Sequence, residues 1–507
     1  MKQKITDVSL KAVTGLLLAI ALLLTFTVSD YYIFNRIGEF NFFFVFSQWM
    51  KKAGLLLLPL AVFYGKKSCS DIFKYVLPLF VILSCCTFGS FFDISAEANA
   101  QTPSDLVYAH INDFMPRAAN MTFFFLSNAL YLAACVLLFV RDGRGWYKVR
   151  AKSFIWLPFA ILACMPLNIF ENFFDIANFS RSSFWWFKNF TLWHFLMICV
   201  LVGFTVGAYY FLRRKEKKVQ QDFLVAAAIV MLIQYHSKDS MVMGDGYNVY
   251  HTVFACIPLF ICNIGVYVAA LSVIFKKKWL YALSFFVHAA GAVSVFVYFG
   301  KDEMSNYGII CSYSILYFCL THILLFSLSV MPSALGHYKF RMKDCLVPLA
   351  YYFAVIVIAT VASALVTSAS MSFSYNGYTL AEGEYLMPNY AFTQINPLPF
   401  ELPVWGLTIW KYEVNLLYVL GLYVAYVAIF FAFNGAYYAF LAVRRRILTV
   451  RAMKAAEGAE TQTEGLEEAA IAEETQEDSP AEELSEAPEE EKTSEPEAQE
   501  ERKEEVL

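Results

Sequence analysis

Two sets of six apolar stretches make up most of this chain, and each set closes on Gly-Ala-Tyr-Tyr, a short apolar run and an arginine cluster. The first ending is Gly207 to Tyr210 before Arg213 and Arg214; the second is Gly435 to Tyr438 before Arg444, Arg445 and Arg446. A helix crosses a bilayer with about 20 mostly apolar residues. The expected spans are 9–29, 42–65, 72–93, 118–140, 153–177 and 187–212, then 222–236, 250–275, 279–300, 308–331, 345–370 and 412–443. An apolar share of 59%, against roughly 45–50% in soluble domains, excludes a soluble globular chain. The expected fold is therefore an all-α polytopic membrane protein of about twelve transmembrane helices in two six-helix repeats. The repeats cover residues 1–215 and 222–446.

Charge supports this layout. Cytoplasmic loops carry the excess of Lys and Arg, and alternate loops here hold Lys66 and Lys67, Arg141 to Lys152, Arg213 to Lys218, Lys276 to Lys278, Lys339 to Lys343 and Arg444 to Arg451. The intervening loops, such as 93–113 and 382–401, are neutral or acidic. Both termini are then expected in the cytoplasm. Lys2, Lys4 and Lys11 precede a long apolar run with no small-residue cleavage signature, which reads as a retained anchor suited to a bacterial cell membrane.

The net charge of -4 averages two unlike parts, a tail from 456 to 507 with 21 acidic and 3 basic residues and a basic body. Almost free of aromatic and branched apolar residues, the tail is expected to be disordered. It could bind a basic cytoplasmic partner, although a silent solvated tail is the simpler reading. Most of the eleven cysteines lie in apolar stretches, as small buried hydrophobes do. No C-x-x-C pair, zinc spacing or phosphate-binding glycine loop occurs, so no metal, nucleotide cofactor or nucleic acid is expected.

Superposing the two endings pairs Phe88-Gly89 with Phe299-Gly300, and Ser127-Asn128-Ala129-Leu130 with Thr321-His322-Ile323-Leu324. Six-helix halves of like orientation would be related by an axis along the membrane normal. Only the second half places a cysteine and a histidine at similar depth. Cys262 lies roughly 18 Å into the span 250–275, and His322 roughly 21 Å into 308–331. Imidazole beside a thiol can take its proton and leave a thiolate to attack an ester carbonyl. Lipid acyl esters are the natural substrates at that depth. Taken singly, each residue also fits a purely structural role, and His251 and His288 compete for the part of base. The first half has Asn128 in place of His322 and Gly54 near the place of Cys262. Lys51 and Lys52, close to that glycine, could attract a lipid phosphate, although snorkelling or a helix end is the simpler reading.

Three further stretches carry a resemblance: Ile257-Pro258-Leu259-Phe260-Ile261-Cys262-Asn263, then Thr321-His322, then Asn389-Tyr390-Ala391-Phe392 with Pro397 in a long external loop from Met371 to Lys411. Over roughly 222–443 the chain resembles the transmembrane protein 164 and YwaF family of membrane acyltransferases. That resemblance implies transfer of acyl chains between phospholipids and lysophospholipids through Cys262 and His322. It gives Asn389 and Tyr390 a hydrogen-bonding role from the loop, with Asn263 or Asn389 as an oxyanion donor. One departure stands out: where the family commonly has a histidine two residues before the cysteine, this chain has Phe260.

Two rivals belong to other classes. Six plus six parallel repeats is also the layout of a secondary transporter, although the spans are poor in acidic residues, with Glu171 and Asp175 near an external end. A non-catalytic membrane scaffold is the other.

Overall fold

A computed structural model describes residues 2–25, 42–88, 117–142, 151–167, 169–170, 182–242, 257–297, 309–310, 312–372, 374–375, 378–382, 385–395 and 403–476. Each of the twelve expected stretches holds a helix. In chain order these are α1 (Lys2–Thr25), α2 (Phe42–Phe63), α3 (Lys67–Cys86), α4 (Arg117–Asp142), α5 (Trp156–Ala163) and α6 (Leu192–Leu212). Then come α7 (Lys217–Val242), α8 (Ile261–Phe275), α9 (Lys278–Val297), α10 (Tyr313–Ala334), α11 (Leu346–Ser372) and α12 (Leu416–Gln476). Among the described residues, eight helices are long and apolar enough to cross a membrane. Their outer faces are apolar as well, with Phe195, Val202 and Phe204 of α6 all exposed. An all-round apolar helix needs lipid or protein on every side.

The basic loops meet at one end of the bundle. Lys66 pairs with Asp222, Lys278 with Asp344 at 3.1 Å, and Arg141 donates to the Ala61 carbonyl at 3.2 Å. The Tyr338 hydroxyl donates to the Lys276 carbonyl and Lys217 to the Leu335 carbonyl. Just inside this end, Lys74 and Asp71 are almost fully buried 3.4 Å apart, Lys74 also pairs with Asp142, and Ser153 donates to Asp71 at 2.9 Å. The sequence reading overlooked this ionic cluster.

Two spans break where continuous helices were expected. Helix α5 ends at Ala163, not near 177. Pro166 lacks an N–H, and its ring would strike the carbonyl one turn back. Gln234 of α7 donates to the exposed carbonyls of Ala163 and Met165 at 2.9 and 3.1 Å, so non-helical backbone at this depth stays satisfied. Helix α8 begins at Ile261, and the described residues before it, 257–260, are not helical. Pro258 stands in that segment. His251, Glu171 and Asp175 lie outside the described residues.

The helix opening the acidic tail is a third correction. Helix α12 continues to Gln476, so 456–476 is helical where disorder was expected. Ala, Glu and Gln are strong helix formers, and no proline interrupts them before Pro480. Residues 477–507 lie outside the described residues.

The long loop folds back on the bundle. It contains two antiparallel hairpins, β1 (Ser374–Tyr375) with β2 (Tyr378–Thr379) and β3 (Gly406–Ile409) with β4 (Tyr412–Asn415). Between them, a tight turn over Tyr390–Phe392 is tied to α11.

Candidate functional site

Cys262 is the second residue of α8 and is half-buried. Phe260 caps the helix with extended backbone and makes no side-chain capping bond. The first carbonyl–amide bond within it runs from the Ile264 amide to the Phe260 carbonyl at 2.9 Å. First-turn amides of a helix have no acceptor inside it and favour negative charge beside them. Cys262 therefore sits in the first turn, where a midspan position was expected.

His322 lies within α10 and is 7% exposed. Its Nδ1–H donates to the Phe318 carbonyl at 2.7 Å, because a carbonyl can only accept. In the neutral ring this makes Nε2 the nitrogen that carries the lone pair. The ring leans on Phe318, with centroids 4.1 Å apart, and on Phe296 at 6.4 Å. Helices α8 and α10 pack directly on each other. Their lower ends are joined by the Tyr338–Lys276 bond. Measured from there by helical rise, Cys262 stands roughly 20 Å above Phe275 and His322 roughly 18 Å above Ala334.

The loop reaches the same helix start. Phe260 meets Tyr390 edge to face at 6.1 Å and Phe392 at 5.7 Å. Tyr390 is fully buried, and its amide donates to Ser363 Oγ at 3.0 Å. Asn389 takes the left-handed conformation at φ 46°. Its Oδ1 accepts the amides of Gln394 and Ile395 at 3.0 and 2.9 Å. Asn389 thus shapes the turn that presents Tyr390. Gln394 in turn donates to Thr367 Oγ1 at 2.7 Å, and Ser370 Oγ accepts the Leu386 amide at 2.7 Å. Ser363, Thr367 and Ser370 recur at helical spacing along one face of α11. The sequence reading missed this hydroxyl stripe, although its spacing was visible. Asn263 is half-buried beside Cys262.

His288 also comes close. It closes a π-helical turn, Ser284–His288, inside α9 and lies against Gly265, one turn along α8 from Ile261. Its Nε2 is 3.2 Å from the Tyr351 hydroxyl. Such π turns often occur at functional sites.

The first half is built differently. A Cβ on Gly54 would stand 2.9 Å from Leu77, so this position has no room for a thiol without repacking. Asn128 is buried and donates to Cys85 Sγ at 3.4 Å. Lys51 and Lys52 lie in the middle of α2, which continues past them, and Lys51 is 7% exposed. They do not end the helix.

Comparison with known proteins covers the part of the chain that carries this geometry. Residues 186–426 match the TMEM164 family. No curated protein and no solved structure matches the chain. The TMEM164-matching stretch includes Cys262, His322 and the Tyr390 turn. It begins one helix earlier than the boundary read at 215–222, and packing explains why. Helix α6 docks on α9 and α10: His194 Nε2–H donates to the Phe296 carbonyl at 2.6 Å, and Thr205 and Ser327 hydroxyls meet at 2.8 Å. With its apolar helices and this TMEM164 match, the chain is a multi-pass membrane protein.

Proposed function

We propose that this protein is a membrane-embedded acyltransferase that moves fatty acyl chains between phospholipids and lysophospholipids, with Cys262 as nucleophile and His322 as base. One observation carries this reading. The start of the Cys262 helix meets the Tyr390 turn through Phe260, and α10, which packs on the Cys262 helix, carries His322 at a similar level.

In this reading His322 Nε2 takes the Cys262 proton, and the thiolate attacks the ester carbonyl of the donor phospholipid. First-turn amides of α8, helped by Asn263, face the developing oxyanion. The ester C–O bond breaks, the leaving lysophospholipid oxygen takes the proton from His322, and the acyl chain remains as a thioester. An acceptor hydroxyl, losing its proton to His322, then attacks that thioester. Its C–S bond breaks and the thiolate is regenerated. The first half, with Gly54 and Asn128 in the corresponding positions, serves as a diverged scaffold of the same six-helix design and shares the YwaF-like ancestry.

The test is label transfer from phospholipid to lysophospholipid by the purified protein in liposomes. Cys262→Ala abolishes transfer, and His322→Ala lowers it by roughly 10²–10⁴-fold. Undiminished transfer by Cys262→Ala would falsify the proposal. A secondary carrier is kept as a second reading because a cavity lies between helices of the two halves, where carriers bind cargo. Substrate flux into sealed vesicles that is unchanged in Cys262→Ala supports that alternative.

A further inference from the structure

Helix α2 carries two adjacent lysines at its middle, roughly 15 Å from either end by helical rise. A buried cationic side chain is costly unless something compensates it. Among the described residues no carboxylate pairs with Lys51. It donates to Gln48 Oε1 at 3.3 Å and lies 4.8 Å over the Phe124 ring. Lys52 donates to Ser237 Oγ at 2.5 Å. Beside them, His236 Nε2 meets the Tyr267 hydroxyl at 3.2 Å, while its Nδ1 is buried with no hydrogen-bond partner.

All four side chains, Lys51, Lys52, Ser237 and His236, line one cavity of about 520 Å³. Gln48, Ser127, Tyr131 and Tyr267 also line it, and the rest of its wall is apolar. Leu55, Pro59 and Phe63 continue down α2, and Ile229 and Ile274 face them from α7 and α8. Phe63 lies roughly 18 Å from Lys51 along the helix. The site therefore has cations at one end and a long apolar run toward the other. Its volume is that of a small-molecule pocket, which suits one acyl chain rather than two.

We propose that this cavity binds a single-chain amphiphile with an anionic head, the head held by Lys51 and Lys52 and the chain lying along α2 toward Phe63. The recognised chemistry is a carboxylate or phosphate on one acyl chain, as in a free fatty acid or a lysophosphatidate. The two adjacent ammonium groups repel a cationic head, and a neutral alcohol forgoes the charge-assisted bonds. This site is separate from Cys262 and does not depend on the acyl-transfer reading.

The experiment is equilibrium binding to the full-length protein in nanodiscs, with radiolabelled palmitate and radiolabelled oleoyl-lysophosphatidate as probes and hexadecanol as the neutral competitor. Saturable binding of at least one anionic probe is expected, and the preferred probe identifies the head. Lys51→Met with Lys52→Met weakens it roughly 10- to 100-fold, the loss of charge-assisted hydrogen bonds. Methionine keeps the length and apolar stem of lysine, and an unchanged melting temperature verifies that the fold is retained. Ile229→Trp, which fills the chain slot and leaves both lysines, also abolishes binding. Cys262→Ala binds as the parent does. The proposal is overturned if neither anionic probe binds, if hexadecanol competes as well as palmitate, or if either cavity variant retains parental affinity.

Discussion

His288 and Gly265 touch so closely that a Cβ on residue 265 would stand 2.7 Å from the imidazole Nδ1. The contact joins α9 to α8 one turn below Cys262. It exists because the π turn at Ser284–His288 rotates the imidazole toward α8 and because Gly265 leaves room for it.

Gly265→Ala therefore overpacks a buried helix contact, at a cost of about 1–3 kcal/mol. A lower melting temperature in detergent is the expected result. His288→Ala in the same chain makes room for the new methyl and recovers part of the loss, a coupling that a double-mutant cycle measures.

The Tyr390 turn depends on hydroxyls from α11. Ser363→Ala leaves the buried Tyr390 amide without its acceptor, a penalty of about 1–3 kcal/mol. Amide hydrogen exchange across 385–395 should quicken, while exchange in α2 and α3 stays as in the parent. Equal acceleration everywhere would argue against a local anchor.

Lys74 is expected to be the most sensitive cation of the bundle. Lys74→Met strands Asp71 and Asp142 together, and breaking a buried pair costs about 3–5 kcal/mol. Lys74→Met with Asp71→Leu should be less damaging than Lys74→Met alone. Thermal unfolding of the three variants measures the difference.

His337, in the loop after α10, gives a pH signature. Burial holds its imidazole below the ordinary value, and Lys217 and Lys276 add to the effect. At neutral pH the ring is mostly uncharged in both folded and unfolded chains. As pH falls below the ordinary imidazole value, the unfolded chain takes the proton first, so this contribution to stability is lost until the folded ring also titrates. A melting profile between neutral and mildly acidic pH should slope downward toward acid, and His337→Gln should flatten it.

Hydropathy placed a helix in each of twelve stretches, eight of them long and apolar enough to cross a membrane, and charge marked the end where the basic loops meet, because lipid demands long apolar runs and Lys and Arg gather at the rims. Local breaks were harder to read. Pro166 and Pro258 were visible, but whether a proline kinks or ends a helix depends on what satisfies the freed backbone, here Gln234 from another helix. The π turn under His288 has no spacing signal. Lys51 and Lys52 looked like a helix end because their compensation comes from α4 and α7, far away in the chain. Cys262 and His322 were legible as residue types, whereas the placement of Cys262 in a first turn was not. Disorder was overextended at 456–476, where acidic composition outweighed helix propensity.

The turn at Tyr390 is pinned by buried hydroxyls along its own length, which is not how a flap that opens once per turnover is built. Traffic to Cys262 would then run sideways from the leaflet, between helices, in a region where water is the scarce reactant. A thioester formed there would partition toward a lipid hydroxyl and away from hydrolysis. If the protein transfers acyl chains as proposed, the quantity governed by Ser363 and Thr367 is a branching ratio, not a rate.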